Sequence, residues 1–198
     1  MVKLFKLDTL NVRPGYKRAQ VDGYTKFLGN SNKVIIQFDD RSEEFVVTGN
    51  EGEIMSMIIE NLDESSYEFD VQSQDINGNF SVLQKVAGSA IGDIFVSDQD
   101  PRKLIDFTNT NDGTFANFLG NSDSQYVIFT VLDYEQENGD TYKDTVFFDQ
   151  SRIKLIDFKP LGSLKTKSHI QSGLNGIDTI PLNEVDYTLP TLPYSELS

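Results

Sequence analysis

The pentapeptide Phe-Leu-Gly-Asn-Ser occurs twice, at 27–31 and again at 118–122, a spacing of 91 residues. A sandwich of the immunoglobulin type takes about 100 residues, so a repeat at this distance confines the chain to two such units in tandem. The likeness extends past the seed. The segment 61–74, NLDESSYEFDVQSQ, finds a counterpart in 157–172, DFKPLGSLKTKSHIQS, with Ser66-Tyr67 against Ser163-Leu164. There the offset has grown to 97, and the difference falls on a longer hairpin in the second copy, Asp133 to Tyr142, against Asp39-Asp40-Arg41 in the first. Hairpin tips accept such insertions without disturbing a sheet.

Alternation with period two carries the fold class. In Tyr67-Glu68-Phe69-Asp70-Val71-Gln72 the apolar residues take one side and the polar residues the other, the pattern of a half-buried strand. Similar runs predict strands near 2–10, 16–24, 33–39, 44–48, 54–60 and 79–87, with the 67–74 strand making about seven in the first 90 residues. No helical pattern of comparable length competes. The Asn77-Gly78 pair tolerates the positive φ of a tight hairpin and joins the last two strands. The expectation is an all-β chain of two tandem immunoglobulin or fibronectin type III-like sandwiches: 1–91, 92–180, and a C-terminal tail 181–198. The boundary falls near Ile91-Gly92-Asp93.

Composition narrows the function. A formal charge of −14 and a pI near 4.3 argue against nucleic acid and anionic membranes, whose recognition needs dense Lys and Arg. Cysteine is absent, which removes disulfides, thiolate ligands and thiol nucleophiles. Charges at Lys3, Lys6 and Asp8 interrupt any apolar leader, so the expectation is a chain without an export signal, or a mature or trimmed form of an exported one. No stretch approaches the ~20 apolar residues of a membrane-spanning helix.

The signatures of common catalysts are missing: no Gly-x-Ser-x-Gly elbow, no phosphate loop, no His-Glu-x-x-His. The single histidine, His169, follows Lys165 and Lys167 on the polar side of its strand, which reads as a solvent-facing residue. Asp75, Asn77 and Asn79 offer the hard oxygens that calcium prefers. Their spacing is not that of an EF-hand, and the Asn-Gly turn explains them without a metal, so no cofactor is expected. Stacking on sugars calls for aromatic platforms. The chain has no Trp but eight Tyr and 14 Phe. Tyr24, beside the first pentapeptide, and Tyr134 and Tyr142, on the long hairpin, read as exposed, with Glu135 and Glu137 beside the latter as hydrogen-bond acceptors.

Leu62, Tyr67, Phe69 and Val71 followed by DINGNFS (75–81) resemble the late strands of fibronectin type III domains, where a Leu, a Pro and a Tyr precede the F strand. The second copy keeps Phe158-Lys159-Pro160 with Leu164 in place of the Tyr. A likeness over nearly the whole chain is carried by LDTLNVRPGYKR (7–18), YEFDVQSQDINGNFSVLQKVAGSAIGD (67–93) and GLNGIDTI (173–180). These resemble the fibronectin-like regions of surface lipoproteins from Gram-negative polysaccharide-uptake systems of the starch-utilisation type. The resemblance implies a non-enzymatic binding or scaffold module at a bacterial cell surface or outer membrane, with a protein or carbohydrate partner. A different class also fits sandwich domains: a capsid decoration or tail component of a bacteriophage virion.

Overall fold

The computed structural model describes residues 6–120 and 125–191. Asn121 and Ser122 of the second pentapeptide lie outside the described residues. The chain divides into two compact units, Met1–Phe95 with Ser172–Asp178, and Val96–Gln171 with Thr179–Ser198.

Unit 1 holds seven strands: β1 (Lys6–Gly15), β2 (Arg18–Phe27), β3 (Ser31–Phe38), β4 (Arg41–Val46), β5 (Ile54–Glu60), β6 (Ser65–Asp75) and β7 (Gln84–Ala90). They form a three-stranded sheet, β1-β2-β5, and a four-stranded sheet, β4-β3-β6-β7, with every named pairing antiparallel. Strict alternation decides what goes inside. Met55, Met57 and Ile59 of β5, Val34 and Ile36 of β3, and Phe69 and Val71 of β6 are buried in one cluster, whereas Glu68 points to water. Tyr67 donates its hydroxyl to the Asp63 carbonyl at 3.0 Å and stacks on Phe69, centroids 5.8 Å apart. That is the tyrosine corner of immunoglobulin-like sandwiches. A β-carbon added at Gly88 of β7 would sit 2.2 Å from Val12 of β1, so this crossing admits only glycine.

The turn after β6 is held from within. The Asp75 carboxylate accepts the backbone N–H of Asn77 and of Asn79 and the Asn79 side-chain amide, all at 2.9 Å, and these bonds hold its pKa below the usual carboxylate range. Gly78 takes φ +85°. The Asp75 oxygens that read as calcium donors are thus engaged in the hairpin. Segment 172–178 belongs to this unit through Asp178. Its carboxylate accepts the Tyr16 N–H at 2.8 Å and the Arg18 guanidinium, which holds its pKa low.

A short helix, α1 (Asp93–Ser97), follows β7. Unit 2 repeats the plan with β8 (Leu104–Thr110), β9 (Gly113–Phe118), β10 (Val127–Glu135), β11 (Thr141–Phe147), β12 (Arg152–Lys154), β13 (Ser163–Gln171) and β14 (Thr179–Thr188). Its sheets are β12-β9-β8 and β11-β10-β13-β14. Strand for strand this is the order of unit 1, so each unit is a fibronectin type III-like sandwich. In each copy the pentapeptide begins on the last residue of the second strand, Phe27 or Phe118. A left-handed residue also stands before the sixth strand in both, Asn61 (φ 56°) and Asp157 (φ 48°). Asn and Asp tolerate that conformation better than other side chains.

Residues 181–198 were expected as a tail. Instead 181–188 continue β14, paired with β13, and Leu182 and Leu189 are buried. Glu184 and Asp186 of this edge strand are exposed to water.

The second core differs in one respect. The inward positions of β6 carry Tyr67, Phe69 and Val71, whereas those of β13 carry Leu164, Thr166 and Ser168, all buried. The lost apolar volume goes with a buried cation, Arg102, 2% exposed. Its guanidinium donates to the carbonyls of Leu119 (3.1 Å), Phe147 (3.0 Å) and Gln150 (2.6 Å) and lies over the Phe118 ring. Its backbone N–H donates to the Ser168 hydroxyl, which is 3.0 Å from that of Thr130. Burial lowers the Arg102 pKa.

Candidate functional site

The outward positions of β10, β11, β13 and β14 make a face whose rows follow from the register. One row runs Lys143, Asp133, Lys165, Asp186; the next runs Thr145, Val131, Lys167, Glu184; the third runs Phe147, Phe129, His169, Pro181. At the hairpin end this face opens into a groove of about 700 Å³ lined by Asp133, Tyr134, Glu135, Gly139, Thr141, Lys143, Ser163 and Lys165.

Its charges are graded. Asp133 pairs with Lys143 at 3.0 Å, and Glu135 pairs with Lys159 at 2.5 Å. Glu135 also accepts the Ser163 N–H, and together, led by Lys159, these hold its pKa below the usual range. Lys165 has only a long contact of 3.8 Å to Glu184. The Thr141 and Ser163 hydroxyls have no partner among the described residues. The groove therefore offers two exposed ammonium groups, that of Lys143 paired with Asp133 and that of Lys165 loosely held, and two hydroxyls beside carboxylate oxygens, a mixture of donors and acceptors.

Two of the residues singled out from sequence take other roles. Tyr134 is 1% exposed, not an exposed platform: its ring lies in the core, 5.5 Å from that of Tyr142, and its hydroxyl accepts the Ile156 N–H at 2.9 Å. Burial raises its pKa. Tyr142 is half-buried and packs against the same core. The reason is register. Position 134 follows Thr130 and Leu132 on the inward side of β10, and the long hairpin merely delays the turn without changing that phase. Glu135 lines the groove, Glu137 is exposed at the hairpin tip, and Tyr24, 41% exposed, lies on β2 of unit 1.

The long hairpin is also more than an ornament. Glu137 donates its N–H to the Asp157 carbonyl at 3.0 Å, Lys159 donates to the Glu135 carbonyl at 2.9 Å, and Gln136 bridges to Phe158. In unit 1 the short hairpin meets the corresponding carbonyls through a side chain, Arg41 to Glu60 and Asn61. The extra residues thus meet the Asp157 and Ile156 carbonyls with the Glu137 N–H and the Gln136 side-chain amide, where the first copy uses an arginine.

Sequence reading missed Thr141, Lys143, Ser163 and Lys165. Thr141 and Lys143 carry the alternation of β11 as a signal, but Lys165 and Ser163 meet them only through the β10–β13 register.

A family model described as a domain of unknown function, DUF4998, matches residues 2–180. The chain belongs to the DUF4998 family. The match runs across both sandwiches and ends inside β14. No curated protein matches the chain. Among solved structures, the chicken CNTN1 FN1–FN3 domains are 13% identical, covering 93% of this chain and 67% of that one with a TM-score of 0.46. A two-domain fibronectin type III segment of chicken tenascin is 14% identical, covering 93% and 99% with a TM-score of 0.34. At these values the fold of this DUF4998 member rests on the strand order of each unit.

Proposed function

We propose that the chain is a non-enzymatic binding module, displayed at a bacterial surface, whose ligand face is the outer side of β11-β10-β13-β14 and whose ligand is a hydroxyl-rich glycan. The observation that carries this is the groove, where the Lys143 and Lys165 ammonium groups and the Thr141 and Ser163 hydroxyls stand ready beside carboxylates. Sugars present many hydroxyls that both donate and accept, and such a lining matches them. Glu135 is poorly suited to act as a glycosidase acid. Glycoside hydrolysis needs one carboxyl with a raised pKa as general acid, and that of Glu135 is held low. Among the described residues no three His, Asp or Glu side chains gather as a metal site. Surface display is supported by the resemblance of residues 7–18, 67–93 and 173–180 to fibronectin-like regions of polysaccharide-uptake lipoproteins, and no helix among the described residues is long and apolar enough to cross a membrane.

A glycan array tests the reading. Lys165→Ala combined with Ser163→Ala removes one charged and one neutral hydrogen-bond donor, and the strongest signals of the intact protein should fall about tenfold or more. Both side chains are exposed, so the unfolding free energy should stay within about 0.5 kcal/mol per site. Undiminished signals would place the ligand elsewhere.

A further inference from the structure

The third row of the same face is apolar, which an acidic exterior does not require. Phe147, Phe129, His169 and Pro181 occupy consecutive cross-strand positions on β11, β10, β13 and β14. Phe129 and His169 stack at 4.5 Å with their planes 18° apart, and Phe147 leans on the other side of Phe129 at 6.3 Å. Phe129 is thus covered on both sides. Phe147 remains 52% exposed, at the open edge of the sheet and braced from behind. The patch is small and ends at the polar row of Thr145, Lys167 and Glu184. A whole aromatic side chain supplies about 150–250 Å². A few half-covered rings therefore fall far short of the ~800 Å² per partner of a stable protein interface. One ring-sized apolar ligand face fits it.

We propose that Phe147 is a second subsite of the glycan face, where the C–H side of a pyranose ring stacks. The proposal rests on the glycan reading of the groove. Phe129 lies four residues along β10 from Asp133, about 13 Å at strand rise. That is too far for one monosaccharide and within reach of a short oligosaccharide lying along β10. The groove would hold hydroxyls at one end, and Phe147 would seat a ring at the other.

The test compares Phe147→Ala, Phe147→Trp and Lys165→Ala with the intact protein. Titrations by calorimetry use uncharged hexasaccharides (cellohexaose, laminarihexaose, maltohexaose and xylohexaose) and the corresponding disaccharides. For the hexasaccharide bound best, Phe147→Ala should weaken affinity about three- to tenfold, the size of an aromatic contact, and Phe147→Trp should restore or strengthen it. The disaccharide should respond to Lys165→Ala and be indifferent to Phe147→Ala. Loss with Lys165→Ala but not with Phe147→Ala for the hexasaccharide overturns the subsite and leaves the groove standing. No binding by any of the hexasaccharides overturns both. Equal loss for disaccharide and hexasaccharide with Phe147→Ala would make Phe147 part of a single short site and contradict the extended one.

Discussion

Tyr134→Ala is expected to destabilise the second sandwich by about 3–5 kcal/mol, the usual cost of truncating a fully buried aromatic. The ring is 1% exposed and sits in a cluster with Leu132, Leu164 and Phe158. Its removal leaves a cavity and strands the Ile156 N–H, which the hydroxyl accepts at 2.9 Å. Tyr134→Phe keeps the ring and loses only the hydroxyl's bonds to the Ile156 N–H and, at 3.4 Å, to its carbonyl, so about 1 kcal/mol is expected. Because the chain holds two units, the unfolding must be followed by probes assigned to each, such as residue-resolved NMR through a denaturant series. Loss of glycan binding by Tyr134→Ala at full stability would restore the tyrosine to the ligand face and refute its place in the core.

Arg102→Ala should cost the same unit about 3–5 kcal/mol, by a different mechanism. The guanidinium serves the carbonyls of Leu119, Phe147 and Gln150, tying the end of β9 to the turn that follows β11. Without it the carbonyls of Leu119 and Gln150 lose this donor, each worth about 1–3 kcal/mol if left buried and unsatisfied, while that of Phe147 keeps the Gln150 N–H at 3.0 Å. Some of that is recovered as water enters, and the contact with Phe118 is lost as well. Arg102→Lys should recover only part, because a single ammonium cannot reproduce a planar fork aimed at three carbonyls. Denaturant midpoints for the three forms decide it. Equal stability of the Ala and intact forms would show that the carbonyls of Leu119, Phe147 and Gln150 are satisfied without the arginine.

Much of this fold was legible because alternation has only two phases. Once Phe69 and Val71 were placed inward, Glu68 was fixed outward, and seven strands in unit 1 emerge at the expected places with ends moved by a few residues. The pentapeptide marked the duplication, since both copies leave the second strand at the same point. Arg102 was not legible. A lone arginine after Asp100-Pro101 reads as a solvated turn residue, and its burial follows from long-range contacts with residues 119, 147 and 150. Tyr134 was misplaced because a long hairpin suggests exposure, while its inward phase on β10 was the stronger constraint. His169 was correctly put on the outer side of β13, but its stack on Phe129 depends on the β10–β13 register, which no local pattern carries.

The ligand face we propose is the outer side of the four-stranded sheet of unit 2. Amide and aromatic NMR shifts of the intact, isotope-labelled chain, recorded while the best-bound of the four hexasaccharides is added, test it residue by residue. Perturbations are expected at Asp133, Lys143, Ser163 and Lys165, continuing through Val131 to Phe129 and Phe147, with the inward Leu132 and Leu164 side chains unmoved. Shifts confined to β8-β9-β12 or to unit 1 would contradict the claim.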